Sequence, residues 1–501
     1  MSTPSASPSG PAVPPPSPWA APPSPRPLFS GRFWRSPRAG LRPGVLAGLA
    51  GVAVLAGSLL LAEFGIQWLV LAIAMTIAVL AALPARTRLR NRWDRGVLAL
   101  VLNLVAVAAV RTSVPMTLLC LLAAAGLAAA LAAGAWSWSG LVVTPLLVPL
   151  NGLRALPWAE RGLRRARTVS RSGPLIRGLV VAGLLTWVCV ALLASADSAF
   201  AGLLTLVPLD RAPETLIARC LLGLVVALFT LALAFTAAAP PRWRELTVRR
   251  GTRPPVEWML PLVAVDVVLA TFLAVQTAVL FGAYPDELVS GDATPAERAR
   301  EGFGQLVVLT LVVAALLTWA ARVAADAVRD RRLLATAGGA LGVLVLVVVA
   351  SALRRLWLYE QAFGWTVMRL DAGVFEVWLA LVIAGTGLAW VLRRTTVMAR
   401  VVPVSAGIGL LLLALAGPDA LVASWNVDRW QRTGKIDVQY LGALSDDAVP
   451  ALKRLPEPLR TCVLAGRSAT APWYAANVSR LRARNVLESL GGPIPERQID
   501  C

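Results

Sequence analysis

Eleven long apolar runs, all between Gly44 and Gly417, constrain this chain more than any other feature of its sequence. About 20 apolar residues in a helix cross the hydrocarbon core of a bilayer, and a backbone in lipid must satisfy its own hydrogen bonds. We therefore predict an all-α integral membrane protein with about eleven transmembrane helices. The runs cover residues 44–62, 67–83, 96–110, 114–133, 175–194, 216–238, 257–282, 304–325, 333–352, 372–392 and 401–417.

The composition supports this fold class and excludes several kinds of chemistry. Charged residues make up only 15% of the chain and hydrophobic residues 57%, whereas soluble domains are about 25% charged. The absence of histidine excludes histidine-based acid–base catalysis and histidine-ligated metals. No phosphate-binding loop of the G-x-x-x-x-G-K-[ST] type occurs in the chain. We assign no catalytic residue, no metal ligand and no cofactor, and no enzymatic activity is indicated.

The net charge of +20 is distributed as in a membrane protein. A nucleic-acid-binding protein gathers its basic residues on one soluble face, but here the arginines form short clusters between the apolar runs, so no nucleic-acid partner is expected. The segments between the apolar runs contain 29 Lys and Arg residues on one side of the membrane and 8 on the other. The positive-inside rule then places the N-terminus in the cytoplasm.

This topology divides the chain into three parts in a bacterial plasma membrane. Residues 1–43 are rich in Pro and Ser and form a disordered cytoplasmic tail. Residues 44–417 form the transmembrane domain. After an odd number of spans, residues 418–501 form a helical extracytoplasmic tail.

Residues 152–171 combine leucines with arginines and follow two prolines, Pro145 and Pro149. This pattern is typical of a basic amphipathic helix on the inner leaflet, where anionic lipid is a candidate partner. A basic stop signal without a specific ligand is the alternative.

The tail shows helix boundaries and a candidate disulfide. Pro418 can begin a helix and Gly434 can end it. Ser445 is a candidate N-cap before two aspartates, and a last helix is predicted over residues 473–490. Cys462 and Cys501 lie in an oxidising compartment in this topology and can form a disulfide; two unpaired thiols are the alternative.

Four polar side chains lie within the apolar runs, namely Asp266, Gln276, Glu376 and Asn103. An acid at bilayer depth is costly and by default suggests a functional site, so Asp266 is a candidate proton or cation site. Gln276 follows it by almost three helical turns and can share its face. A structural helix–helix hydrogen bond is the alternative for Asp266, while Glu376 near a helix end is expected to be partly exposed.

Residues 354–371 alternate aromatic and charged side chains at a membrane boundary. An interfacial belt helix anchored by Trp and Tyr explains this pattern. The functional alternative is a polar wall of an outward-facing cavity, in which Arg354, Arg355 and Arg369 bind an anionic group.

Four runs together resemble a bacterial family of polytopic membrane proteins of unknown function, the domain of unknown function 4173 / 4153 type. They are ASADSAF at 194–200, TPAERAREGFGQL at 294–306, LYEQAFGWTVMRL at 358–370, and NVDRWQRTGKID at 426–437 with YLGALSDDAVPAL at 440–452. The resemblance covers roughly residues 45–465, and a family member is expected to carry Tyr and Leu where Phe363 and Trp365 stand.

The family brings no established activity, but the resemblance implies where a shared site would lie. All four runs fall on the outer side of the predicted topology. The candidate residues there are Asp197, Glu297, Arg300, Glu301, Tyr359, Glu360 and Arg369.

Two functional hypotheses follow. In the first, the protein is an envelope scaffold or sensor whose outer loops and tail bind an envelope protein. In the second, it is a secondary transporter or membrane-embedded enzyme that uses an intramembrane carboxylate.

Overall fold

The structure, a computed structural model, describes residues 36–37, 39–60, 63–84, 91–169, 213–243, 253–280, 295–324, 327–392, 394–467 and 472–494. Within these ranges the chain is all-α, with helices and turns and no strand. The predicted fold class is therefore confirmed.

Eleven helices precede the tail in the described ranges. They are α1 (Pro43–Leu59), α2 (Ile66–Ala82), α3 (Arg92–Val110), α4 (Val114–Ala133), α5 (Trp138–Val169), α6 (Pro213–Ala238), α7 (Pro255–Leu280), α8 (Pro295–Val323), α9 (Val328–Phe363), α10 (Val367–Val391) and α11 (Thr395–Ala416). Ten of the eleven predicted runs each fall on one of these helices, and the run 175–194 lies outside the described residues.

Eight described helices are long and apolar enough to cross a membrane, namely α3, α4, α5, α6, α7, α9, α10 and α11, while α1, α2 and part of α8 are shorter apolar helices. Large apolar side chains point outward along them. For example, Leu122 is 69% exposed, Val268 66% and Ile77 62%. Exposed apolar surface of this extent is unusual for a soluble protein. The protein is therefore an all-α membrane protein, although the predicted number of eleven spans is not confirmed.

The helices form two bundles that are joined by α11. Helices α1, α2, α3, α4 and α6 pack together around a core that includes Leu104 and Cys120. Helices α7, α8, α9 and α10 pack around a second core with Trp258 and Leu341 at its centre. Helix α11 contacts α3 and α4 on one side and α10 on the other. We call the end of the bundle that carries residues 418–494 the tail-side end and the opposite end the far end.

Helix α5 packs on α1 and α6 at the far end. The Asn151 amide donates to the Thr236 hydroxyl over 3.0 Å, two residues before the end of α6. The Trp158 indole N–H donates to the Ala39 carbonyl over 2.8 Å, just before α1 begins. Both contacts are at the far end, although α5 meets the length criterion for a span. The helix is continuous through its three prolines, Pro145, Pro149 and Pro157.

The tail folds around its own core at the tail-side end. Its elements are α12 (Pro418–Thr433), α13 (Val438–Gly442), a 3₁₀ turn (Asp446–Ala448), α14 (Val449–Leu452), α15 (Leu459–Leu464), a second 3₁₀ turn (Trp473–Ala475) and α16 (Val478–Ser489). The core includes Val422, Leu441, Val449, Val463 and Leu487, all at most 1% exposed.

Two predicted helix boundaries in the tail are confirmed and two are wrong. Pro418 begins α12, and Gly434 ends it with a φ of +68°. Ser445 does not cap a helix, because no helical N–H bonds to its side chain; its hydroxyl donates to Asp447 instead. The helix predicted over 473–490 is a 3₁₀ turn followed by α16, because the Asn477 side chain caps α16 and starts it anew.

Candidate functional site

The structure brings together some of the predicted outer-face residues. Asp197 lies outside the described residues. Glu297, Arg300 and Glu301 lie in the first turns of α8, where only the backbone is described. Tyr359, Glu360 and Arg369 meet at the turn between α9 and α10.

The Arg369 side chain stabilises this turn by stacking on an aromatic ring and by donating a hydrogen bond to the backbone. The Arg369 guanidinium lies 4.3 Å from the centre of the Tyr359 ring and donates over 2.9 Å to the Gly364 carbonyl. Glu360 is only 4% exposed, and its Oε1 has no hydrogen-bond partner. Since Arg369 is already bound within the turn, it does not face an open cavity. In the segment 354–371, residues 354–363 are helical as the last turns of α9, and the chain turns after Phe363.

The tail forms hydrogen bonds with the backbone of this turn. The Asn426 amide donates to the Trp365 carbonyl over 2.8 Å and accepts from the Trp365 N–H over 3.1 Å. The Tyr440 hydroxyl accepts from the Val367 N–H over 2.7 Å, one of the donors that a helix start leaves unpaired. Gly364 has a φ of +92°, and a Cβ there would lie 2.7 Å from the Asn426 Oδ1. The third and fourth family runs are thus the two halves of one contact.

A second contact joins the tail to the loop between α3 and α4 through the buried carboxylate of Asp447. Its side chain is 1% exposed and accepts from the Arg111 guanidinium over 3.2 Å. It also accepts from the Thr112 N–H over 3.0 Å and from the hydroxyls of Thr112, Ser445 and Ser479. A buried carboxylate is stable only when paired and hydrogen-bonded in this way.

Arg111 and Asn477 extend this contact to the ends of two membrane helices. The Arg111 guanidinium donates to the Ala414 carbonyl over 2.7 Å and to the Leu415 carbonyl at the end of α11. The Asn477 amide donates over 2.8 Å to the carbonyls of Ala108 and Arg111 at the end of α3. The last carbonyls of a helix have no partner within it, so the tail contact completes both helix ends. We call Arg111, Thr112, Asp447, Asn477 and Ser479 the tail clasp.

A third contact lies between α1 and α2. Arg480 forms an ion pair with Glu63, and the Ile66 N–H donates to the Ala476 carbonyl over 3.0 Å. A Cβ on Gly65 would overlap the backbone of Ala475. The tail therefore touches the bundle at three separate places.

Two carboxyl groups, that of Asp419 in the tail and that of Asp371 in α10, lie near each other. Asp419 of α12 is 6% exposed, and its Oδ2 has no hydrogen-bond partner. Asp371 of α10 lies near enough for electrostatic repulsion, and its Oδ1 also lacks a partner. Burial raises the pKa of Asp419, and repulsion from Asp447 adds to this shift, while hydrogen bonds from Ser113 and Ser445 oppose it. Within the described residues no group of three or more acidic or cysteine side chains could hold a metal.

Among the intramembrane candidates, Glu376 differs from its prediction. It is 1% exposed, and neither carboxylate oxygen has a hydrogen-bond partner. The expectation of partial exposure is wrong because the rotation of α10 turns this position toward neighbouring helices. Asp266 is half-buried, and its Oδ1 is likewise without a partner.

The other two candidates do not pair with Asp266. The Gln276 carbonyl oxygen accepts from the Arg355 guanidinium. Asn103 is exposed and donates over 2.8 Å to the Ala99 carbonyl, one turn earlier on its own helix.

Cys462 is disulfide-bonded, and its partner lies outside the described residues, whereas Cys120 and Cys220 are free. The pairing of Cys462 with Cys501 stays a prediction.

Sequence reasoning did not identify the tail clasp. Neither Arg111 nor Asn477 was predicted as a site residue. A lone arginine between two apolar runs indicates a polar contact, because a charge at the end of a membrane helix needs a partner. The sequence does not show which residue is that partner.

The comparisons with known proteins give a family and no activity. Residues 97–455 match the family model described as "Domain of unknown function (DUF4153)". Neither a curated protein nor a solved structure matches the chain. The matched region begins within α3 and includes both halves of the α9–α10 turn contact, whereas of the tail clasp it includes Arg111, Thr112 and Asp447 but not Asn477 or Ser479. The chain belongs to the DUF4153 family of membrane proteins.

Proposed function

We propose that the protein is a scaffold or sensor of a bacterial plasma membrane that acts through its tail and outer loops. The observation that carries this proposal is the tail clasp. A buried carboxylate with donors from two parts of the chain holds the tail in one defined position on the membrane helices. A loosely tethered domain would not need such a contact.

The tail clasp supports a role in signalling, because it links the tail to the ends of α3 and α11. Arg111 and Asn477 bind the terminal carbonyls of α11 and α3, so displacement of the tail would free both ends at once. Asp419 is buried and Asp371 lies near enough for electrostatic repulsion, and displacement of the tail would relieve this repulsion by exposing both carboxyl groups to water. Packed interfaces of this kind switch between discrete arrangements.

A complementation experiment tests this function. In a strain deleted for the gene, a chain lacking residues 418–501 and the variant Asp447→Ala should both fail to restore the wild-type response to envelope stress. Asp266→Asn and Glu376→Gln should restore it, with membrane levels checked by immunoblot. Normal function of the truncated chain would refute the proposal.

We also propose that the N-terminus is cytoplasmic and the tail extracytoplasmic. The arginine distribution supports this topology, and so does the disulfide at Cys462, because disulfides persist in oxidising compartments. An alkaline phosphatase fused after Cys501 should be active in whole cells. Activity only of a cytosolic reporter at that position would overturn the topology.

Anionic lipid is the proposed partner of residues 152–171. Leu153 and Leu156 of α5 are 67% and 47% exposed, and the Arg164 side chain nearby is 69% exposed. Leucines and arginines on the free surface of a helix at the far end suit a lipid headgroup region. Flotation of a 152–171 peptide with vesicles should require anionic lipid and weaken with salt; binding to neutral vesicles alone would contradict it.

Glu376 supports a second candidate function, secondary transport. A fully buried carboxyl group with no partner inside a candidate span is the arrangement expected of an intramembrane proton or cation site. In this case Glu376→Gln abolishes function in the complementation experiment, and deletion of residues 418–501 does not.

A further inference from the structure

The first bundle contains an apolar cavity that is partly open to its surroundings. Helices α2, α3, α4 and α6 form a ring in which each helix packs on its two neighbours. The space inside has a volume of about 580 Å³. Its lining includes neither the residues of the three tail contacts nor the intramembrane acids Asp266 and Glu376.

Small side chains create this space. Six alanines line it where bulkier residues would fill the core of a bundle: Ala72, Ala124, Ala125, Ala128, Ala132 and Ala237. Protein interiors are close-packed and contain few voids larger than a water molecule. An apolar cavity does not hold water either, because water needs polar partners. We therefore expect an apolar molecule to occupy this cavity.

The shape of the cavity matches a hydrocarbon chain. Its lining runs along α2 from Trp68 to Leu83 and along α4 from Leu121 to Gly134. At 1.5 Å per residue these stretches are roughly 20 Å long. One leaflet contributes about 15 Å, half of the hydrocarbon core. A long narrow space parallel to the membrane helices suits an extended chain better than a compact solute.

Polar groups are confined to a few positions in the lining. The Thr76 hydroxyl is satisfied by the Ala72 carbonyl at 2.8 Å. Asp94 lines the far end of the cavity and interacts with Arg400 of α11. A polar solute would find almost no partners along the remaining length.

Aromatic side chains mark the far end as the level of the lipid headgroups. Trp93 and Trp136 form an edge-to-face pair with ring centres 5.7 Å apart. The Trp243 indole N–H donates to the Ala133 carbonyl over 2.7 Å. Tryptophans concentrate at membrane–water interfaces. A chain that enters here would leave its polar head beside Asp94 and Arg400.

We propose that this cavity binds one acyl chain of a membrane phospholipid, with the headgroup at the far end. The lipid fills the ring of α2, α3, α4 and α6 and replaces the side chains that the six alanines lack. This proposal is independent of the proposed function, since none of the residues that carry the latter lines the cavity.

Native mass spectrometry of the full chain tests the proposal. Wild-type protein, reconstituted with phosphatidylethanolamine and phosphatidylglycerol and extracted in mild detergent, should retain one phospholipid per chain. Ala128→Phe and Ala72→Phe fill the cavity and should lose it. Ala99→Phe is the matched control, because Ala99 is exposed on α3 outside the cavity. Equal retention by the wild type and the filled variants would overturn the proposal.

Thermal stability separates a filled cavity from a misfolded protein. Removal of lipid should lower the Tm of the wild type and of Ala99→Phe, but not that of Ala128→Phe or of the smaller change Ala128→Leu. A misfolded variant would instead melt below the lipid-depleted wild type, and this result in both Ala128 variants would count against the proposal. A cysteine at Ala125 that cross-links to the apolar run 175–194 would also overturn it, since the chain itself would then occupy the space.

Discussion

Replacement of Asp447 by alanine should release the tail from the membrane helices. The side chain is 1% exposed and accepts hydrogen bonds from Arg111, from Thr112 and from two serine hydroxyls. Removing one partner of a buried ion pair costs about 3–5 kcal/mol, because the remaining charge stays buried without compensation. The Arg111 side chain is 13% exposed, so water restores only a small part of its solvation.

Hydrogen exchange of the tail amides measures this loss in the full chain. Since each 1.4 kcal/mol is about a tenfold change, amides of residues 438–464 should exchange on the order of 10²- to 10³-fold faster in Asp447→Ala. The matched control is Asp428→Ala, because Asp428 pairs with Arg454 at the surface with its side chain 44% exposed. Such pairs contribute less than about 1 kcal/mol. Equal acceleration by both variants, or none by Asp447→Ala, would refute the buried-charge argument.

Three further predictions concern the tail. Burial raises the pKa of Asp419 above its ordinary 3.8, so its contribution to tail stability is complete below about pH 3.8 and is lost as pH rises through the raised value. Asp419→Asn should therefore flatten the pH dependence of the melting temperature above about pH 3.8, and an unchanged slope would contradict this. Gly364→Ala should lower the stability of the folded tail by about 1–3 kcal/mol, because φ is +92° and ψ is 167° at this position, and overlap of the new Cβ with the tail should lower it further. Gly434→Ala is the control and should cost less, because a Cβ there meets open space. Protease resistance of the tail compares the two variants, and a greater loss in Gly434→Ala would contradict the turn contact. Peptide mapping without reductant should recover Cys462 joined to Cys501, and a bond to any other cysteine would disprove that pairing.

The apolar runs predicted the membrane helices because lipid leaves a backbone no alternative to helix. The path of α5 was harder to predict. Pro145 and Pro149 lie within a continuous helix, which the sequence pattern did not show, and the course of this helix depends on its packing against α1 and α6. Hydropathy does not determine how a helix is rotated, so the burial of Glu376 did not follow from its place near a helix end.

The candidate site could be predicted in part. Residues Tyr359 and Arg369 came from the family resemblance, and the structure places them together at one turn. The tail clasp joins residues far apart in the chain, and a single sequence contains no signal for such pairs. Asp447 was recognised only for its position in a first turn, where a short-range rule applies.

The distance between Arg111 and Asp447, 336 residues along the chain, has a consequence for biosynthesis. Helix α3 leaves the ribosome long before the segment that completes its end. Until translation is almost finished, the Arg111 guanidinium and the terminal carbonyls of α3 must rely on water, lipid headgroups or a chaperone. A chain that ends before Asp447 would leave the Arg111 guanidinium without its carboxylate partner.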